Sequence, residues 1–280
     1  MLDDPRKAAG VSPSYRSVSA ARVGAMVQRY LYLMRSSWPR LLEIVYWPTV
    51  QMLMWGFLQT YLVSKTGIAA SAGGALIGAI LLWDVLFRGQ LGFSMSFLEE
   101  MWSRNIGNLM ISPLRPGEFI AALMAMSVIR MAIGLVPVSL FAMLYFGFNL
   151  WGLGLGLAAF FANLFLTAWA IAVPVSGMIL RNGLGAEGFA WSLAFLLLPL
   201  TAVFYPVDTL PSALEAVAWA LPPTYVFEGL RALVFEERFE AGLTVRAFAL
   251  NAVYLTGGCL AFYWFLRSSR RVGSILQVGE

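Results

Sequence analysis

Asp84 and Arg88 stand four residues apart, acid first, inside an otherwise apolar stretch. On a helix that spacing puts both on one face, where pairing lowers the cost of holding either in a low-dielectric interior. Ionisable groups at such depth face a bundle interior or a water-filled path, so Asp84, Arg88 and Arg130, which also lies within an apolar stretch, are candidates to line or brace a route through a membrane. A static pair that only packs helices together is the competing reading. Enzymatic chemistry has little to work with. The chain has no histidine and one cysteine, Cys259, which removes histidine catalysis, histidine metal ligands and any intrachain disulfide. Its only Lys-Thr pair, Lys65-Thr66, follows Ser64 rather than the glycine of a phosphate-binding loop, so nucleotide chemistry is expected in another chain. No cofactor, metal or nucleic-acid partner is expected here.

The elements that carry these residues follow from composition. With 60% hydrophobic and 12% charged residues, polar side chains are too few to cover a soluble surface. The expected fold is an all-α polytopic membrane protein, because a run of roughly 20 apolar residues crosses the hydrocarbon core with its backbone bonds satisfied internally. Six spans are expected, at about 44–64, 72–98, 120–146, 152–180, 189–207 and 247–266, within a membrane domain of residues 41–267. The third and fourth come from one uncharged run, residues 131–180, that is too long for a single helix. The segment Gly147-Phe148-Asn149-Leu150-Trp151-Gly152 is the natural turn in it.

Basic residues orient the chain. Arg6, Lys7, Arg16, Arg22, Arg29, Arg35 and Arg40 precede the first span, Arg267, Arg270 and Arg271 follow the last, and Arg104, Arg115 and Arg181 lie in the second and fourth loops. The odd-numbered loops hold only Lys65, Arg231 and Arg238, so both termini, residues 1–40 and 268–280, are expected in the cytoplasm. The first 40 residues contain no compact apolar core of a signal peptide. Between Val18 and Trp38, Val23, Met26, Val27, Tyr30, Leu33 and Met34 recur at helical spacing with Arg22 and Arg29 elsewhere on the wheel. An amphipathic interfacial helix is expected there, its apolar stripe in the acyl boundary.

Two loops are unusual. Residues 99–118 contain Glu99, Glu100, Trp102, Arg104, Ile106, Pro113 and Arg115, with Trp102, Ile106, Leu109 and Met110 expected on one face of a short helix ended by Pro113 and Pro116, a form suited to a partner's groove. Residues 208–231, entered through Tyr205 and Pro206, hold an apolar stretch too short to span, bounded by Pro211 at one end and by Pro222 and Pro223 at the other. Tyr225, Glu228 and Arg231 follow, and a re-entrant pair of short helices before the last span explains the pattern.

In this order the basic amino-terminal helix, the Glu-rich loop ending Ser112-Pro113-Leu114-Arg115-Pro116-Gly117-Glu118-Phe119, the Tyr205-Pro206 to Leu210-Pro211 break, and Pro222-Pro223-Thr224-Tyr225 running into Glu228-Gly229-Leu230-Arg231 resemble the membrane permease subunits of type 2 ATP-binding-cassette exporters. The resemblance spans nearly the whole chain. It implies two permeases, as a homodimer or heterodimer, on two cytoplasmic ATPase subunits that bind ATP and Mg. Loop two (99–118) would be the coupling helix, the 208–231 segment the gate, and the bacterial cytoplasmic (inner) membrane the location. Arg130 departs from any motif of that family. The aromatic content, 14% of residues, without a ring of acids favours a lipid-like, glycolipid or amphiphilic drug-like cargo, to which the resemblance adds polysaccharides and peptides. A secondary transporter would show matching broken helices in both halves, and a membrane-embedded enzyme a convergent nucleophile, acid or metal set; neither pattern is evident.

Overall fold

The computed structural model describes residues 19–66 and 70–272. Residues 1–18, with Arg6, Lys7 and Arg16, and residues 273–280 of the tail lie outside the described residues. The rest is helical, without a strand among the described residues: α1 (Ala20–Arg35), α2 (Trp38–Thr66), α3 (Ala70–Trp102), α4 (Ile106–Ile111), α5 (Pro116–Phe146), α6 (Gly154–Asn182), α7 (Gly188–Leu200), α8 (Ser212–Trp219), α9 (Pro222–Phe235) and α10 (Ala241–Val272). Helices α2, α3, α5, α6 and α10 each contain a stretch long and apolar enough to cross a membrane. The uncharged run divides where Gly147 adopts φ 67°, a left-handed conformation that costs glycine nothing, and a short 3-10 turn at Leu150–Leu153 leads into α6.

The fifth expected span differs from the expectation over 189–207. Helix α7 has only 13 residues, about 20 Å of rise against a hydrocarbon core of about 30 Å. It stops one residue past Pro199, and the chain then turns through Ala202 at φ 50°.

Helix α3 is the axis of the bundle. It is buried along most of its length and packs against α2, α5, α6, α7 and α9. Two apolar clusters stack along it. One contains Leu81, Leu82, Val85, Phe160 and Phe227; the other gathers Phe93, Phe97, Leu98, Met101 and Phe119 with Met26, Tyr30 and Met34 of α1. Gln90 of α3 donates to the Ala190 carbonyl of α7 at 2.8 Å. The most extensive seam joins α6 and α10, where Thr167 donates to Asn251 Oδ1 at 2.7 Å and Asn251 Nδ2 donates to the backbone and side-chain oxygens of Asn163 at 3.0 and 3.1 Å. Helices α2 and α10 keep broad apolar faces exposed, including Tyr46, Trp47, Phe57 and Tyr61 on α2 and Val253, Leu260 and Trp264 on α10. Such surface is stable only against lipid or another chain.

Candidate functional site

The ends of the bundle, where helices give way to loops, hold most of the paired charge. At one end α1 lies across both stems of loop two. Arg29 reaches Glu100, two residues before α3 ends, with Nη1 on Oε1 and with Nη2 3.2 Å from Oε2. Asn105 donates to Glu100 Oε2 at 2.7 Å. Seven residues earlier on α1, Arg22 Nε donates to Glu118 Oε2 at 2.8 Å, and Glu118 also accepts the backbone N–H groups of Ser19 at 2.9 Å and Arg115 at 3.0 Å. Glu118 lies in the first turn of α5, where a carboxylate is favoured by the helix dipole. Both acids are fully buried and fully partnered. The hydrogen bond it donates to Glu100 raises the Arg29 guanidinium above its ordinary value against the opposing effect of burial, and burial first, then Glu100, pushes the Tyr30 hydroxyl upward.

This arrangement changes the reading of α1. Its stripe of Met26, Tyr30 and Met34 is buried against protein rather than in the acyl boundary, because the two arginines are drawn onto acids of the bundle.

Between those stems loop two is short. Helix α3 continues to Trp102 and ends in a left-handed residue, Arg104 at φ 54°, with Asn105 N–H on the Glu100 carbonyl at 2.9 Å and Arg104 N–H on Met101 at 3.0 Å. Helix α4 has six residues, closed by Ser112 before Pro113. The expected docking residues therefore separate into two sets. Glu99, Glu100 and Ile106 face inward and position the loop: Glu99 accepts from Arg130 at 3.0 and 3.1 Å and lies 3.7 Å from Arg40, and Ile106 is fully buried. Trp102, Arg104 and Pro113 are exposed, while Arg115 is half-buried at the start of α5. Trp102 ends α3 rather than sharing the short helix's face, and its indole N–H donates to Glu187 in the loop between α6 and α7 at 3.2 Å. Ile111 was missing from the expectation, and it is the most exposed large apolar residue of the loop at 86%. Its place five positions after Ile106, about 140° round the wheel, is the signal that it leaves the buried face.

The intramembrane charges fall in the interior of the chain. Asp84 is 3% exposed and Arg88 16%, with Arg88 Nε 3.6 Å from Asp84 Oδ1; neither atom has a hydrogen-bond partner among the described residues. Arg130 belongs to a different group, since it pairs with Glu99. Long helical side chains lean toward their own N-terminus, and α3 and α5 run antiparallel, so Glu99 and Arg130 lean toward each other across several residues of axial offset.

At the opposite end α8 and α9, of 8 and 14 residues, form the pair of short helices. Pro211 is the residue before α8, and Pro222 and Pro223 open α9, positions where a missing N–H costs no helical bond. Helix α9 closes on its neighbours through glycines: a Cβ on Gly78 of α3 would lie 3.4 Å from Leu230, and one on Gly229 would lie 3.3 Å from the Phe160 ring of α6. Tyr205 donates to the Pro199 carbonyl at 2.6 Å and Tyr225 to that of Trp219 at 2.8 Å, while Pro206 precedes the turn at Val207–Thr209. Glu228 and Arg231 pair at 2.7 Å, close to these turns. Beside α9, an apolar groove of about 690 Å³ is walled by Leu153, Leu155, Leu233, Phe239, Val245 and Phe248.

A model of the ABC-2 type transporter family matches residues 23–235, which covers α1 from Val23 onward, both stems of loop two and the short-helix pair. No curated protein matches the chain. With its apolar spanning helices and the family match over three quarters of its length, the chain belongs to the ABC-2 type transporter family and is a multi-pass membrane permease subunit of an ABC transporter.

Proposed function

We propose that the protein is the permease of an ATP-driven exporter in which two permease chains, identical or paralogous, sit on two cytoplasmic ATPases that bind ATP and Mg. Both termini and loop two face the cytoplasm, α8 and α9 dip in from the far side as a gate, and the location is a bacterial cytoplasmic membrane. The observation that carries this reading is the double staple of α1. Because Arg29–Glu100 and Arg22–Glu118 tie one helix to both stems of loop two, a push on α4 moves α1, α3 and α5 as one body. Such a rigid handle is what coupling to a motor requires.

Asp84 and Arg88 brace α3, the central helix, rather than line an open wall, and Arg130 with Glu99 braces the α3–α5 contact. The cargo is amphiphilic, in keeping with exposed aromatic helix faces and with a groove that offers contact to hydrocarbon but little hydrogen bonding.

The exposed edge of loop two is the docking surface. Co-expressed with its ATPase, the double variant Trp102→Ala, Ile111→Glu is expected to recover about tenfold less ATPase on affinity purification, at unchanged permease yield, because two exposed apolar contacts would be lost. Undiminished recovery would remove loop two from the interface.

A further inference from the structure

An ion pair on α9 grips the turn that ends α7. After Leu200 the chain leaves the helix, and Ala202, fully buried, adopts φ 50°, a left-handed conformation that a residue with a Cβ rarely takes. Arg231 Nη2 donates to the Ala202 carbonyl at 2.9 Å, and Nη1 lies 3.4 Å from the Val203 carbonyl. The same Nη2 donates to Glu228 Oε1 at 2.7 Å. On the returning limb, Val207 N–H donates to that Glu228 oxygen at 2.8 Å. One guanidinium therefore grips the outgoing limb and one carboxylate the returning limb. Between the limbs, Phe204 stacks on Trp55 of α2 with ring centroids 4.7 Å apart.

We propose that Glu228–Arg231 is a latch that keeps the turn at residues 201–207 shut, and that the nucleotide cycle opens it. This rests on reading α8 and α9 as the gate. Three physical features favour a device with two states over a static brace. The latch is nearly water-excluded, with side-chain exposures of 13% for Arg231 and 19% for Glu228, so its bonds are strong when made. Apart from local bonds such as that of Tyr205 to the Pro199 carbonyl, the polar grip of α9 on the two limbs comes from two side chains one helical turn apart, so a small rotation of α9 releases both limbs together. The left-handed Ala202 is tolerated only while its carbonyl is gripped, so release is assisted by return of that residue to ordinary backbone geometry.

Amide hydrogen exchange on the full permease, alone and in complex with its ATPase, tests the latch. In the permease alone, Arg231→Ala is expected to speed exchange over residues 201–210 about tenfold, the loss of roughly one charge-assisted hydrogen bond, while the α6–α10 seam is unchanged. Arg231→Lys, which cannot span two carbonyls and a carboxylate at once, is expected to recover only part of the protection. In the complex, ATP with Mg is expected to raise exchange in the same segment. Ala202→Gly, which removes the backbone strain of the closed turn, is expected to reduce that rise. A complex that hydrolyses ATP faster than the free ATPase yet shows no nucleotide-dependent exchange at 201–210 would overturn the latch while leaving the permease reading intact. Failure of the chain to bind or stimulate any ATPase would strike the permease reading itself, and unchanged exchange in Arg231→Ala would overturn the latch without reference to the ATPase.

Discussion

Glu100→Ala is expected to lower the stability of the purified protein by about 3 kcal/mol and to free α1 from the bundle. The carboxylate is 1% exposed and is held by Arg29 and Asn105. Its removal leaves a guanidinium and an amide donor beside the buried Tyr30 with nothing to accept from them. Removing one member of a buried pair costs about 3–5 kcal/mol, and the lower end applies because Arg29 is 38% exposed and regains some hydration. Glu100→Gln keeps one carbonyl oxygen, which can accept from either Arg29 or Asn105 but leaves the other facing an NH2 group, so roughly half the loss is expected. Thermal unfolding in detergent gives the size of the effect, and proteolysis within residues 19–37 shows whether α1 has come away. An unchanged midpoint with α1 still protected would mean that the staple is not what holds loop two.

Gly258→Leu is expected to cost about as much by a different route. A Cβ at Gly258 would lie 3.0 Å from the Ala170 carbonyl oxygen and 3.1 Å from the Pro174 ring, and one at Gly177 would lie 3.0 Å from the Phe262 Cα, so in this seam backbone meets backbone. A leucine there must push α10 away from α6. Overpacking alone costs about 1–3 kcal/mol. Two turns away, the same shift pulls Asn251 from Asn163 and Thr167, and interhelical hydrogen bonds within a membrane contribute about 0.6–1.7 kcal/mol each. A total of about 3 kcal/mol follows from the two terms. Gly257→Leu is the control, since a Cβ at Gly257 meets nothing within 4 Å. Equal midpoints for the two variants would show that the seam yields at no cost.

Much of the architecture can be read from charge-free runs, because in a membrane a backbone without charged side chains has few options besides a helix. The proline-bounded stretches at 206–223 likewise mark a short-helix pair, since proline removes a donor wherever it falls. What the sequence conceals is partnership at a distance. Arg22 and Glu118 are 96 positions apart and Arg29 and Glu100 are 71, so no local spacing connects them. For that reason the acidic pair of loop two reads as an exposed docking feature when both members face inward. Arg130 reads as a lone charge in a span for the same reason, because its partner Glu99 lies on another helix. The early end of α7 is hidden differently. Pro199 and Thr201 hint at it, but the decisive feature is the conformation of Ala202, and alanine carries no local preference for it.

Loop two transmits work from an ATPase to this permease only if the two proteins are coupled at its exposed edge. The direct measurement is the rate of ATP hydrolysis in proteoliposomes holding the chain with its ATPase. The rate is expected to exceed that of the free ATPase, and to fall back to it with Trp102→Ala, Ile111→Glu although the permease stays folded. A hydrolysis rate indifferent to the permease, together with movement of cargo by the isolated chain under an ion gradient, would contradict that coupling.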